Sequence, residues 1–262
     1  MKRMLVVAAA ITAFGFVSAA GAADMPVKAV RAPIIAPAYN WTGFYVGGNV
    51  GYGWGNGDTS FGPLPTAAAF VNLAPQTLSP NPKGVLGGLQ AGYNWQTGQW
   101  VWGVETDFQW SGMTGSVTQT PIIQNNGTPF PGAGFVQAGE KMRWFGTLRA
   151  RAGFTPMDRV LLYATGGLAY GNVHYTSTTD FRPVGTTQYI GDITKTKAGW
   201  TIGAGAECAF AQMWTAKFEY LYYDLGKENV TVNATPLLPP FQVAYSWKTT
   251  GNIVRLGVNY KF

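Results

Sequence analysis

The sequence predicts an all-β protein: an eight-stranded antiparallel transmembrane β-barrel, with short turns at one end and four long loops at the other. Three observations carry this expectation. Eight stretches alternate apolar and polar residues with a period of two, as strands lying between two environments do. The charges within those stretches gather on the less apolar face. The connections alternate between short and long, the pattern of outer-membrane barrels with both termini in the periplasm.

The chain opens with an export signal. Lys2 and Arg3 form a basic start, residues 4–17 an apolar run, and Gly21, Ala22 and Ala23 a small-residue cleavage site. Residues 1–23 are therefore expected to be removed as a signal peptide. Residues 24–40 contain three prolines and show no period, which reads as an extended periplasmic linker. Residues 41–262 remain as the barrel domain, a size that one barrel commonly uses. No later segment reaches the roughly 18 apolar residues of a membrane helix.

The first strand, 44–55, sets Phe44, Val46, Val50, Tyr52 and Trp54 against Tyr45, Gly47, Asn49, Gly51 and Gly53. The second, 85–96, sets Val85, Leu89, Ala91, Tyr93 and Trp95 against Gln90, Asn94 and Gln96. The third, 100–110, sets Trp100, Trp102, Val104, Phe108 and Trp110 against Glu105, Asp107 and Gln109. In the fourth, 141–154, Met142, Trp144, Leu148, Ala150 and Phe154 oppose Lys141, Arg143, Thr147, Arg149 and Arg151. The fifth, 160–171, is the weakest, with Val160, Leu162, Leu168 and Tyr170 opposite Tyr163, Thr165 and Gly167. The sixth, 197–210, opposes Trp200, Ile202, Ala204, Cys208 and Phe210 to Lys197, Thr201 and Glu207. The seventh, 214–223, opposes Trp214, Phe218, Tyr220 and Tyr222 to Lys217 and Glu219. The last, 252–262, places Val254, Leu256, Val258, Tyr260 and Phe262 opposite Arg255 and Lys261, and the chain stops on that aromatic.

Energy explains the sorting. An Arg or Lys on the lipid face at mid-membrane costs about 2–4 kcal/mol, and a typical domain is stable by only about 5–15 kcal/mol in all. Extending the strands to include Glu140 or Asp224 would put a charge on the wrong face. Aromatics near strand ends, such as Trp54, Trp100, Trp110 and Tyr260, suit girdles at the membrane interfaces. Each alone fits a soluble sandwich core better. The glycines of the charged face, such as Gly51, Gly92, Gly167 and Gly205, argue for a narrow lumen where missing side chains make room for large ones from the opposite wall. Short joins lie near 97–99, 155–159 and 211–213, and long ones span 56–83, 112–140, 176–195 and 226–248. The long segments are rich in Pro, Thr, Gln, Asn and Gly, as exposed surface is.

The stretch Tyr-Asn-Trp-Thr-Gly-Phe-Tyr-Val-Gly-Gly-Asn-Val-Gly-Tyr-Gly-Trp-Gly from Tyr39, with the closing Asn-Ile-Val-Arg-Leu-Gly-Val-Asn-Tyr-Lys-Phe, resembles the small outer-membrane proteins of rhizobia and brucellae. These are the RopB-like, opacity-antigen-like β-barrel proteins of the alphaproteobacterial outer membrane, often catalogued as porin-like. The resemblance covers the whole mature chain and implies an eight-stranded, OmpA-like barrel in the outer membrane. It also implies that Tyr260 and Phe262 form the signal read by the barrel-assembly machinery. It brings no catalytic residues.

Other chemistry is poorly supported. The single histidine, His174, lies beside Tyr175 and near Ser177 and Asp180, but neighbours on one strand rim do not make a catalytic triad. A surface imidazole is the plainer reading; contact with a metal or haem-like ligand at the mouth is the other. One His and one Cys do not make metal-site spacing, so no metal and no cofactor is expected. Cys208, the only cysteine, excludes an internal disulfide and reads as an apolar filler on the lipid side. The net charge of +6 is dispersed and the chain is exported, so no nucleic-acid partner is expected. Expected partners are outer-membrane lipid including lipopolysaccharide, the barrel-assembly machinery and a ligand at the loops.

The informative residues are the lumen charges: Glu105, Asp107, Arg143, Arg149, Arg151, Lys197, Glu207, Lys217, Glu219 and Arg255. Opposite charges on adjacent strands suit a structural ion-pair network filling an interior only wide enough for side chains. The sequence thus favours a non-enzymatic structural and surface barrel supporting the envelope. Two alternatives remain: a narrow, weakly anion-preferring porin for small solutes, and an adhesion or ligand-binding protein acting through its loops.

Overall fold

The computed structural model describes residues 39–63, 76–132, 134–181, 188–235 and 242–262. The expected signal peptide and nearly all of the linker lie outside the described residues. Eleven strands follow in chain order among these: β1 (Gly43–Gly55), β2 (Asp58–Pro63), β3 (Gln76–Leu78), β4 (Lys83–Thr97), β5 (Trp100–Ser111), β6 (Thr114–Gln119), β7 (Phe135–Met157), β8 (Val160–Asp180), β9 (Gln188–Ala209), β10 (Trp214–Thr235) and β11 (Gln242–Lys261).

Eight of them close a ring. β1, β4, β5, β7, β8, β9, β10 and β11 pair in that order, and β11 returns to β1. The closing seam is antiparallel and runs from Tyr45↔Lys261 to Gly55↔Gly251. Closure removes the exposed sheet edges that hydrocarbon does not tolerate. The period-two pattern then sorts each strand. Val50, Leu89, Phe108, Leu148, Leu168, Ile202, Phe218 and Leu256 point outward and are exposed. Glu105, Arg149, Glu207, Glu219 and Arg255 point inward and are buried. The outward band is the surface for lipid.

β7 to β11 hold 20 to 23 residues each. That is about twice the 9–11 residues a tilted strand needs to cross a bilayer. The surplus continues the wall on the side of the long connections, where β6 pairs with β7, β2 with β11, and β3 with β2. The four long segments are where the sequence places them, but much of their described length is strand rather than irregular loop. In β6, Thr-Gly-Ser-Val-Thr-Gln, both faces carry small or polar residues. No apolar side betrays the alternation there, because outside the membrane neither face must be hydrophobic.

Two irregularities re-aim side chains at the rim of the bilayer. Between Met142 and Trp144 the β7–β8 ladder skips Arg143, leaving it as the extra residue of a bulge. Between Asp224 and Lys227 the β10–β11 ladder shifts likewise, and Gly226 there takes φ +76°, a conformation glycine adopts freely. Glycines inside the wall serve a more local purpose than expected. A Cβ on Gly92 would lie 2.4 Å from the Tyr45 hydroxyl, and one on Gly205 2.6 Å from that of Tyr163. Tyr45↔Gly92 and Tyr163↔Gly205 are register pairs on neighbouring strands. The room is therefore made for the ring next door, not for one from the opposite wall.

Candidate functional site: the charged lumen

Glu105 and Asp107 enter the lumen from β5, Arg149 and Arg151 from β7, Glu207 from β9, Lys217 and Glu219 from β10, and Arg255 from β11. Spacing by two puts each pair on one face of its strand. Neighbouring strands join some of them. Arg149 Nη2 lies 2.5 Å from Glu105 and 3.2 Å from Asp107. Arg255 donates from Nε to Glu219 at 2.6 Å.

The rest cross the interior. In the ring β5 and β10 stand diametrically opposite, yet Lys217 Nζ donates to both Glu105 oxygens at 2.7 and 2.8 Å. Arg255 of β11 reaches Asp107 at 2.9 Å, Arg149 reaches Glu219 at 3.0 Å, and Arg151 reaches Glu207 at 2.7 Å. The side chains of Arg149 and Arg255 are completely shielded from solvent. Four acids and four bases thus form one connected network with no net charge. Burial of that many ions is tolerable only with such pairing, because each unpaired one would carry a penalty of several kcal/mol.

Uncharged residues complete the network, and these the sequence reading missed. Tyr45 donates to Glu105 at 2.7 Å, and Tyr163 to Glu219 at 3.0 Å. The Arg151 guanidinium stands 4.4 Å from the Tyr163 ring centroid, a cation–π distance. Thr215 and Asn259 donate to Glu207 Oε1 at 2.5 and 2.9 Å, and Thr147 to Asp107 at 2.7 Å. Their signal was legible in part: all share the inward phase of their strands.

Both sides of the network are packed with apolar groups. Toward the short turns, Tyr39, Trp41, Val101, Leu161, Tyr163 and Ala209 form a cluster at the mouth. Trp41 packs there together with Tyr39, which the sequence assigned to the linker. The Trp41 backbone N–H donates to Gln96 at 2.7 Å. Toward the long connections a larger cluster includes Phe145, Leu221, Tyr223, Tyr245, Trp247 and Ile253.

Two of the ten expected lumen charges stand apart from the network. Lys197 is buried but higher in the barrel, where it donates to the Gly226 carbonyl at 3.1 Å. Arg143 is not in the lumen at all: it is exposed on the outer face. The bulge is the physical reason. It places Arg143 and Trp144 both outward, so that Met142 turns inward together with Glu140, and Lys141 outward. The expectation that an extended fourth strand would aim Glu140 at lipid fails for the same reason.

His174 sits on the outer face, its Nδ1 2.9 Å from Thr194 Oγ1 and 3.6 Å from Asp192. Ser177 is buried on the inner side, so strand alternation separates the two. At the other end, Tyr260 and Phe262 lie on the outer face by the short turns. Their rings are 5.1 Å apart, and the Phe262 N–H donates to the Phe44 carbonyl at 3.0 Å. Cys208 is exposed on the lipid side.

Comparison with known proteins agrees with this architecture. The 31 kDa outer-membrane immunogenic protein of Brucella melitensis biotype 1 is 40% identical over 98% of this chain and 99% of its own length. The 22 kDa outer membrane protein of Rhizobium leguminosarum bv. viciae is 31% identical over 89% of this chain and 83% of its own. Among solved structures, the outer membrane protein OprG from Pseudomonas aeruginosa matches with a TM-score of 0.50 at 11% identity, covering 86% of this chain and 98% of that one. That last likeness concerns the fold alone. Residues 9–262 match the family described as outer membrane protein beta-barrel domain, and the chain is a member of that family, located in the outer membrane.

Proposed function

We propose that the protein is a closed structural barrel: it anchors a rigid surface extension in the outer membrane, supports the envelope, and carries neither solutes nor a catalytic site. One observation carries the reading, namely the electroneutral network whose ion pairs cross the full width of the lumen. A pore would need that space, and an anion-preferring pore would need unbalanced positive charge along it. Four bases facing four acids offer none. The apolar clusters on either side support the same conclusion, since water entering from either mouth meets packed aromatic rings. The strands that rise beyond the bilayer support display at the surface, as does the word "immunogenic" in the Brucella relative's name.

Planar-bilayer recording of the purified full-length barrel tests the proposal. The expected trace is silent; steady conductance of porin size overturns it and restores the small-solute channel.

A further inference from the structure

Inside the barrel every base of the network has an acid; three bases clustered on the outer face have none among the described residues. Lys83 at the start of β4, Lys141 of β7 and the bulged Arg143 are exposed and have no carboxylate partner among the described residues. Register brings two of them together. Thr114 of β6 pairs with Lys83 on one side and with Lys141 on the other. The two lysines are thus about 10 Å apart across two strand spacings, within reach of one group held between them. Arg143 projects two residues below Lys141 on the same face.

The height of this cluster is fixed by aromatics. Lys83 is the register partner of Trp54, and Arg143 precedes Trp144, which pairs with Trp110. Trp54 and Trp110 are exposed on the lipid side. Indole rings mark the boundary between hydrocarbon and headgroups, and the long-loop end faces the cell exterior. The cations therefore emerge at headgroup level in the outer leaflet. Nearby, His174, the register partner of Lys141 on β8, lies 3.6 Å from Asp192.

We propose that Lys83, Lys141 and Arg143, with the Thr114 hydroxyl between them, form a binding site for the phosphate of a phosphorylated lipid headgroup in the outer leaflet. Guanidinium and ammonium groups recognise phosphate by charge-assisted hydrogen bonds. A regular strand would send Lys141 and Arg143 inward together, and skipping one residue turns the pair outward to face lipid. The site is independent of whether the lumen conducts.

Lipid retention by native mass spectrometry tests this. The full barrel is placed in phosphatidylcholine nanodiscs containing lipid A and its dephosphorylated form in equal amounts, then released in detergent. Wild-type protein should keep the phosphorylated form in preference by about tenfold or more. The Lys83→Gln/Lys141→Gln/Arg143→Gln variant, checked for folding by heat-modifiable gel migration, should lose that preference. Lys227→Gln/Lys248→Gln, which alters exposed lysines on β10 and β11, should keep it. Equal retention of both lipids by wild type overturns the proposal, as does a triple variant that binds like wild type. Equal loss in the Lys227/Lys248 variant reduces the effect to net charge and also overturns it. Complete displacement of lipid A by millimolar inorganic phosphate would make this a free-anion site and defeat the lipid assignment.

Discussion

Lys217 reaches across the barrel to Glu105, the carboxylate on which most of the network converges. Its ammonium bridges both oxygens of Glu105 across the barrel, while Glu105 also takes Arg149. Replacing it with Ala leaves a buried carboxylate short of one partner and the lumen one charge out of balance. Loss of about 3–5 kcal/mol is expected, the usual effect of breaking a buried pair. The heat-modifiable transition of the refolded protein should fall accordingly. Lys217→Met combined with Glu105→Gln should recover part of the loss, since the two residues share one interaction. An unchanged transition in Lys217→Ala would show that the network adds nothing to stability. The eight charges of the network were visible in the sequence as part of an inward-facing set. Which acid meets which base was not, because pairs such as Glu105–Lys217 join residues on opposite walls. Strand periodicity fixes the face of a side chain, not its partner.

At the scale of elements, the bulge in β7 decides what faces what. It turns Glu140 inward above the membrane, among Tyr175, Tyr223, Thr249 and Lys197. Burial pushes the Glu140 carboxyl up from the ordinary 4.5 to about 7, against a Thr249 hydrogen bond and the Lys197 charge, which pull it down. The folded state therefore holds this proton more tightly than the unfolded chain does. The stability it contributes is complete below pH about 4.5 and is lost as pH rises through 7. Glu140→Gln should accordingly melt higher than wild type at pH 8 and match it near pH 4. Circular-dichroism melts at the two pH values check this; a variant that gains equally at both would contradict it. Nothing in Lys-Met-Arg-Trp announces a skipped residue. Strict alternation is the better guess for any such stretch, which is why Lys141, Arg143 and Glu140 were assigned to the wrong sides. The strand extensions hid for a related reason: without lipid on one side, β6 has no hydrophobic phase to display.

For the whole molecule, the eight ring strands and their faces were legible because hydrocarbon imposes a harsh rule on every lipid-facing position. The filling of the two mouths was less so. Trp41 precedes the first alternating residue, and only the folded ring shows its indole donating to the Asp158 carbonyl of a short turn at 3.3 Å. Trp41→Ala should weaken the barrel by about 3–5 kcal/mol, as large core truncations do, and still leave bilayer recordings silent, because the charged network lies beyond it. Conductance appearing in that variant alone would locate the seal at the mouth rather than at mid-barrel.

The balance of four bases and four acids has one more effect. A voltage acts on the barrel's interior only through unbalanced or displaceable charge, about 2.3 kcal/mol per elementary charge per 100 mV. Here each push on a cation is answered by an equal pull on the anion bonded to it. Donnan potentials that swing with external ionic strength thus exert no net force on the network.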